Sequence, residues 1–259
     1  MALLNRKKLN TLMTRLQSGQ VLTTEELEKQ GISPNLAYWY VQSGWLERLS
    51  DKAYKKAGDN ISWAGALSAL QNQLSLSIHV GGKTALELLG QAHFIPLGDV
   101  KNVILFTIPS TKIPRWFNKN NLWGTRFYIY KTVLFGQKHL SLGLIERQID
   151  SMKLILSSPE RAVMEMLYLV PREQTFEEAK LLMENLAQLR PTVVQLLLEN
   201  CFSIKVKRLF LHLAEQYQHS WVAELNLKKI YLGHGKRVIG KGGEYHSKYQ
   251  LSLPKLMES

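Results

Sequence analysis

The stretch HVGGKTALELLG, residues 79–90, carries the residue types of a phosphate-binding loop, with Lys83 and Thr84 following two glycines into an apparent helix. A nucleotide-binding P-loop reads G-x-x-x-x-G-K, and Ser77 stands where the first glycine belongs. The spacing favours a glycine turn into a helix, whose free backbone N–H groups could still hold a phosphate of bound nucleic acid. A second glycine-rich stretch, GHGKRVIGKGG at 233–243, offers Lys236, Arg237 and Lys241 to phosphate, against the plainer reading of a β-hairpin loop. Histidines stand at 79, 93, 139, 212, 219, 234 and 246, and none sits with cysteine or acids at metal-ligand spacing. His212 and His219 read as a coincidence of one helical surface. Cys201, between LLLEN and Phe202, reads as a buried, inert thiol and not a nucleophile. No serine lies in a G-x-S-x-G elbow. These residues name no catalytic group, cofactor or metal.

Chemistry directed at polyanions is better represented, and it lies in the first sixty residues. Leu9, Leu12, Met13 and Leu16 repeat at helical spacing, so 5–17 is predicted as an amphipathic helix. Arg6, Lys7 and Lys8 crowd its start, the unfavourable end for cations, which a phosphate partner would explain as well as simple solvation would. Thr23 and Glu26 have capping-box spacing, and Leu22 with Leu27 that of a hydrophobic staple. A short helix from Thr24 to Gln30 should end at Gly31. Ser33 then serves as N-cap, Pro34 suits the first helical position and Gly44 the residue past the end.

In that third helix Leu36, Ala37, Tyr40 and Val41 form one stripe, and Asn35, Tyr38, Trp39 and Gln42 lie opposite. WLERL and AYKKA follow as strand-like runs around Ser50, Asp51 and Lys52. Three helices and a basic hairpin are the layout of a winged helix-turn-helix, whose third helix enters the major groove. Asn35 and Gln42 would hydrogen-bond base edges while Tyr38 and Trp39 pack on sugars or thymine methyls. Lys52, Lys55 and Lys56 would meet phosphates, and Thr24 and Ser33, at the starts of the second and third helices, complete the expected contact set. Two other readings stay open: the aromatic pair packs on the following domain, or the module docks a protein without sequence-specific DNA binding.

The stretch TTEELEKQGISPNLAYWYVQSGWLERLSDKAYKKAG resembles the N-terminal winged-helix segment of the abortive-infection AbiEi antitoxins, GIS…A……SGWLERL being its most specific part. GGKTALELLGQAHFIPLG and SSPERAVMEMLYLVP resemble the C-terminal domain of the same family. That resemblance implies an antitoxin of a type IV toxin–antitoxin operon that represses its own promoter by binding inverted repeats. It further implies a C-terminal domain that counters a nucleotidyltransferase-like toxin without a stable complex. It supplies no residue-level antitoxin site.

The whole chain is compatible with these expectations. Its 259 residues suffice for a substantial core, and the net charge of +12 biases partners toward polyanions. One cysteine excludes an intrachain disulfide and suits a reducing cytosol. The start lacks signal-peptide character, and no run approaches the roughly 18 apolar residues of a spanning helix, so a cytoplasmic setting without a membrane partner is expected. Residues 59–140 mix a small-residue helix, SWAGALSALQNQL, with β-rich runs. After GLIERQI and MKLIL come four amphipathic helices, with Ser158 and Thr175 as start signals, and a final short strand in KYQLSLP.

The expected fold is α+β: a winged-helix DNA-binding domain at 1–58 and a larger mixed antitoxin domain at 59–259, with a possible subdivision near 145. Residues 59–144 carry eight bases against three acids, which suggests a second basic surface at Lys112, Arg115, Lys119, Arg126 and Lys131. The alternative there is a generally basic surface.

Overall fold

A computed structural model describes residues 2–91, 102–118, 122–240 and 243–254. The first helix, α1, spans Ala2–Arg15 and buries Leu9 and Leu12. A two-residue strand that the sequence does not announce, β1 (Leu22–Thr23), precedes α2 (Thr24–Lys29) and α3 (Pro34–Gln42). The hairpin follows as β2 (Leu46–Ser50) and β3 (Ala53–Lys56), and β1 joins it in the order β1-β3-β2.

The capping logic explains these boundaries. Thr23 Oγ1 accepts from the Glu26 N–H at 3.1 Å and Ser33 Oγ from the Leu36 N–H at 3.3 Å, caps worth about 1 kcal/mol each. Gly31 and Gly44 stop the two helices at φ +72°, a left-handed conformation that favours glycine. The box at Thr23 is only half formed. Its backbone N–H donates to Gln73 Oε1 at 2.9 Å, while the Glu26 carboxylate accepts from Gln30. Leu22 and Leu27 share one core with Leu9, Leu12, Ile32, Ala37, Tyr40 and Leu46.

The small-residue stretch becomes α4 (Trp63–Ser68) running directly into a π-helical turn, Ala69–Gln73. Two buried glutamines leave this turn in nearly opposite directions, as residues two apart on a helix must. Gln71 bonds Ile78 O and both backbone groups of Ile155, on the large sheet. Gln73 reaches the other way, to the Thr23 N–H and Val21 O, while its own carbonyl accepts from Lys29. The turn thus ties the winged helix to the rest of the chain.

Next come β4 (Ile78–Val80), α5 (Gly82–Leu88), β5 (Asn102–Thr107), β6 (Arg126–Lys131), β7 (Leu144–Ile149) and β8 (Met152–Ser157). These strands form a mixed sheet in the order β6-β5-β4-β8-β7. Four helices follow: α6 (Pro159–Leu169), α7 (Phe176–Glu184), α8 (Pro191–Asn200) and α9 (Ile204–Gln216). Leu167, Leu197, Leu209 and Phe210 from this set share one core with Val80, Leu105 and Leu156 of the sheet. Thr175 caps α7 as expected, through the Glu178 N–H. Ser158 precedes α6 without a side-chain cap, because its hydroxyl donates to the Glu160 carboxylate at 2.6 Å.

The chain closes on a small sheet of β9 (Arg237–Val238), β10 (Glu244–His246) and β11 (Leu251–Leu253). Here the hairpin expectation for 233–243 fails. β9 pairs parallel with β11 and β10 lies on the far side of β11, so β9 and β10 are not neighbours. Arg208 of α9 fixes the approach to β9 by donating to the carbonyls of Leu232, Gly233 and Gly235. His219 also departs from expectation. It is buried beyond the end of α9, bonded to Met183 O at 2.8 Å and stacked on Trp221, and so is not a surface residue.

Candidate nucleic-acid interface

Helix α3 has two faces. At about 100° per residue, Leu36, Ala37, Tyr40 and Val41 occupy one side, and Asn35, Tyr38, Trp39 and Gln42 centre on the opposite one. Tyr40 is fully buried and Ala37 nearly so, whereas Asn35 and Gln42 are exposed. Tyr38 is 65% exposed and Trp39 53%, so neither packs on the following domain. Trp39 keeps one edge against the Tyr40 ring, with centroids 5.7 Å apart, and leaves its remainder to solvent.

Trp45 adds a third exposed aromatic that sequence reasoning missed, at 47% exposure. Its N–H donates to Tyr40 O and its carbonyl accepts from the Ala57 N–H, which fixes the backbone while the ring stays wet. The signal available in the sequence is its place between the helix-ending Gly44 and the inward-facing Leu46.

The predicted cations divide into two groups. Lys8 donates to Gly31 O at 2.6 Å, holding the start of α3 against α1. Lys55 pairs with Glu47 at 2.9 Å and donates to Asp59 O. The Gly58 N–H and Lys55 together hold the Glu47 carboxyl below the ordinary carboxylate range. Arg6, Lys7, Lys52 and Lys56 are exposed and have no partner among the described residues. Lys52 sits at the hairpin tip with φ 61°, and its carbonyl accepts from the Thr24 N–H, which ties the wing to the start of α2. Thr24 is half-buried by this arrangement, and the Ser33 hydroxyl is engaged as a cap.

Of the second basic set, Lys112, Arg115, Arg126 and Lys131 are exposed, and Lys119 lies outside the described residues. Arg126 and Lys131 mark the two ends of the edge strand β6. Arg126 lies over the Tyr128 ring, and Lys131 donates to Thr111 O at 2.8 Å.

The glycine turn before α5 is not open to phosphate. The Gly81 N–H donates to Ile104 O, and the Gly82 N–H to the carboxylate of Glu165 at 3.2 Å. A protein carboxylate therefore already fills the anion position at this helix start. A side chain at Gly81 would collide with Glu165 Oε2 and come within 2.6 Å of Phe106, so the glycine is explained by close packing. Lys83 points elsewhere, to Glu87 and Glu178.

Glu165 accepts three further bonds, from His79 Nε2 and Arg161 Nε at 2.8 Å each and from Ser157 Oγ at 2.7 Å. Burial alone would raise its pKa, but these partners hold it at about 2. Burial pushes the His79 pKa down despite its acidic partner, which favours the neutral imidazole as the donor. Cys201 is buried, and burial raises its thiol to about 11. Among the described residues no group of three His, Cys, Asp or Glu is placed to hold a metal. No described helix is long and apolar enough to cross a membrane.

Comparison with known proteins locates this architecture. Residues 5–97 match the family model described as the N-terminal domain of AbiEi antitoxin transcriptional regulators. Residues 100–254 match the model for the AbiEi antitoxin transcriptional regulator of type IV toxin–antitoxin systems. No curated protein matches. Among solved structures, the fold is similar to that of the RV2827C protein from Mycobacterium tuberculosis, with a TM-score of 0.60 and 15% identity over 95% of this chain and 89% of that one. With both family models matched along nearly its whole length, the chain belongs to the AbiEi antitoxins, the transcriptional regulators of type IV toxin–antitoxin systems.

Proposed function

We propose that this regulator binds double-stranded DNA at its own promoter through α3 and the β2–β3 wing and so represses its operon. The observation that carries this reading is the outward face of α3. Two amide side chains and two aromatic rings stand there exposed, in a unit that also leaves Arg6, Lys7, Lys52 and Lys56 unpaired among the described residues. Asn35 and Gln42 have the donor–acceptor pairs that read adenine, and Tyr38 and Trp39 offer apolar area to sugar or thymine methyl. Thr24, Ser33, Lys8 and Lys55 position these groups through the bonds already described.

In this account residues 1–58 read the DNA and 59–259 carry the antitoxin activity, acting in the cytoplasm against a nucleotidyltransferase-like toxin without a stable complex. Repression follows from promoter occupancy and needs no catalysis, cofactor or metal. Lys112, Arg115, Arg126 and Lys131 extend the basic surface beyond the winged helix.

A protein-docking adaptor is the competing reading, favoured by the exposure of Trp39 and Trp45. Salt separates the two. Four phosphate contacts give a slope of about −3.6 in log K against log salt, so binding to upstream DNA should weaken about 150-fold between roughly 50 and 200 mM salt. A gel shift on the upstream region across that range checks this, and a flat response contradicts it.

A further inference from the structure

A cavity of about 340 Å³ opens beside the Glu165 network, between β4, β5 and the segment 132–144. Its size is at the low end for small-molecule sites, enough for a base or nucleoside. Phe106, Leu134 and Phe135 supply apolar wall, and five polar side chains more than nine-tenths buried line it, among them the ionisable trio His79, Arg161 and Glu165.

Two atoms of that trio remain uncommitted. Arg161 spends Nε on Glu165 and Nη1 on the carbonyls of Leu140 and Leu142, while Nη2 bonds no described residue. Its guanidinium carbon lies 4.9 Å from the centre of the Phe135 ring. His79 gives its Nε2 proton to an ionised carboxylate, which can only accept, and in the neutral imidazole that burial favours Nδ1 then carries the lone pair. That nitrogen also bonds no described residue. Two residues that line the cavity thus each keep a group without a partner among the described residues, a charged N–H donor on Arg161 and an acceptor on the neutral imidazole of His79, beside aromatic wall.

We infer that this cavity binds a neutral planar heterocycle with a lactam edge, of the kind found in an oxopyrimidine or oxopurine nucleoside. The ring carbonyl accepts from Arg161 Nη2, the adjacent ring N–H donates to His79 Nδ1, and the ring face lies on phenylalanine. Neutrality follows from charge. Glu165 already balances Arg161, so a carboxylate ligand would leave an uncompensated buried anion. This site is independent of the DNA-reading surface and is tested without DNA.

Calorimetry and ligand-observed NMR on the full chain would use uridine and inosine, with N3-methyluridine and benzoate as controls. Saturable binding of uridine or inosine is expected, at least tenfold tighter than benzoate, with N3-methyluridine at least tenfold weaker than uridine. Thr132→Trp, which fills the lining at a half-buried position whose side chain makes no described bond, should abolish the response at an unchanged melting temperature. Ile108→Trp serves as a second block should the first fail to fold. Silence of both nucleosides at millimolar concentration, tighter binding of benzoate, or undiminished binding in a folded blocking variant would each overturn the assignment.

Discussion

Replacing Glu165 by glutamine probes a buried carboxylate that is among the most heavily bonded groups of the described residues. Its carboxylate takes four donors in a site 1% exposed, and its pKa falls from the ordinary 4.5 to about 2 on folding. That difference corresponds to about 3 kcal/mol at pH 7. Glutamine keeps the shape but leaves Arg161 buried without its counter-charge, a loss of about 3–5 kcal/mol for a broken buried pair.

The sign with pH is fixed. A carboxyl whose pKa is depressed in the folded state stabilises fully above its unfolded value of 4.5, and this stabilisation fades as pH falls toward 2. The gap between wild type and Glu165→Gln should therefore be about 3 kcal/mol at pH 7 and about 1.4 kcal/mol narrower at about pH 3.5. Urea unfolding followed by tryptophan fluorescence at both pH values measures it. A gap below about 1 kcal/mol at pH 7, or one unchanged at the lower pH, would refute the reasoning.

Gln73→Leu should cost about 2 kcal/mol or more, read by thermal unfolding, because it strands the Thr23 N–H and Val21 O, which Gln73 bridges. Lys83→Ala should change stability by less than about 1 kcal/mol, as its pairs with Glu87 and Glu178 are partly solvated. ATP titrated onto the wild type should show no saturable binding, and a saturable response lost in Lys83→Ala would restore the nucleotide reading. Lys52→Ala with Lys56→Ala should flatten the salt dependence of DNA binding by about 1.8 in slope, equally on specific and nonspecific DNA. A loss confined to one sequence would mean that these lysines read bases.

Local chemistry makes α2 and α3 legible from the amino-acid sequence. Thr23, Ser33, Pro34, Gly31 and Gly44 act within a turn of where they stand, so spacing along the chain is enough to place them. The opposed faces of α3 follow from the same periodicity. What the sequence hides depends on contacts across the chain. Lys8 and Lys55 have the look of free cations, yet Gly31 O and Glu47 engage them. The Gly81–Gly82 turn reads as open because Glu165, which fills it, lies more than eighty residues away. β9 reads as one arm of a hairpin, whereas its partner is β11, and spacing alone says nothing about a parallel partner. His219 gives no sign of burial, since Met183 and Trp221 create its environment.

The central claim is that the outward face of α3 reads DNA. Fluorescence anisotropy of the full chain on its labelled upstream region, beside the Asn35→Ala, Tyr38→Ala, Gln42→Ala triple variant, tests it most directly. Base-edge contacts carry about 1–3 kcal/mol each, so losing those of Asn35 and Gln42 should weaken specific binding by about 3 kcal/mol, roughly 150-fold. Phosphate-driven binding to unrelated DNA should barely change. A folded triple variant that still binds the upstream region with wild-type affinity would contradict the account.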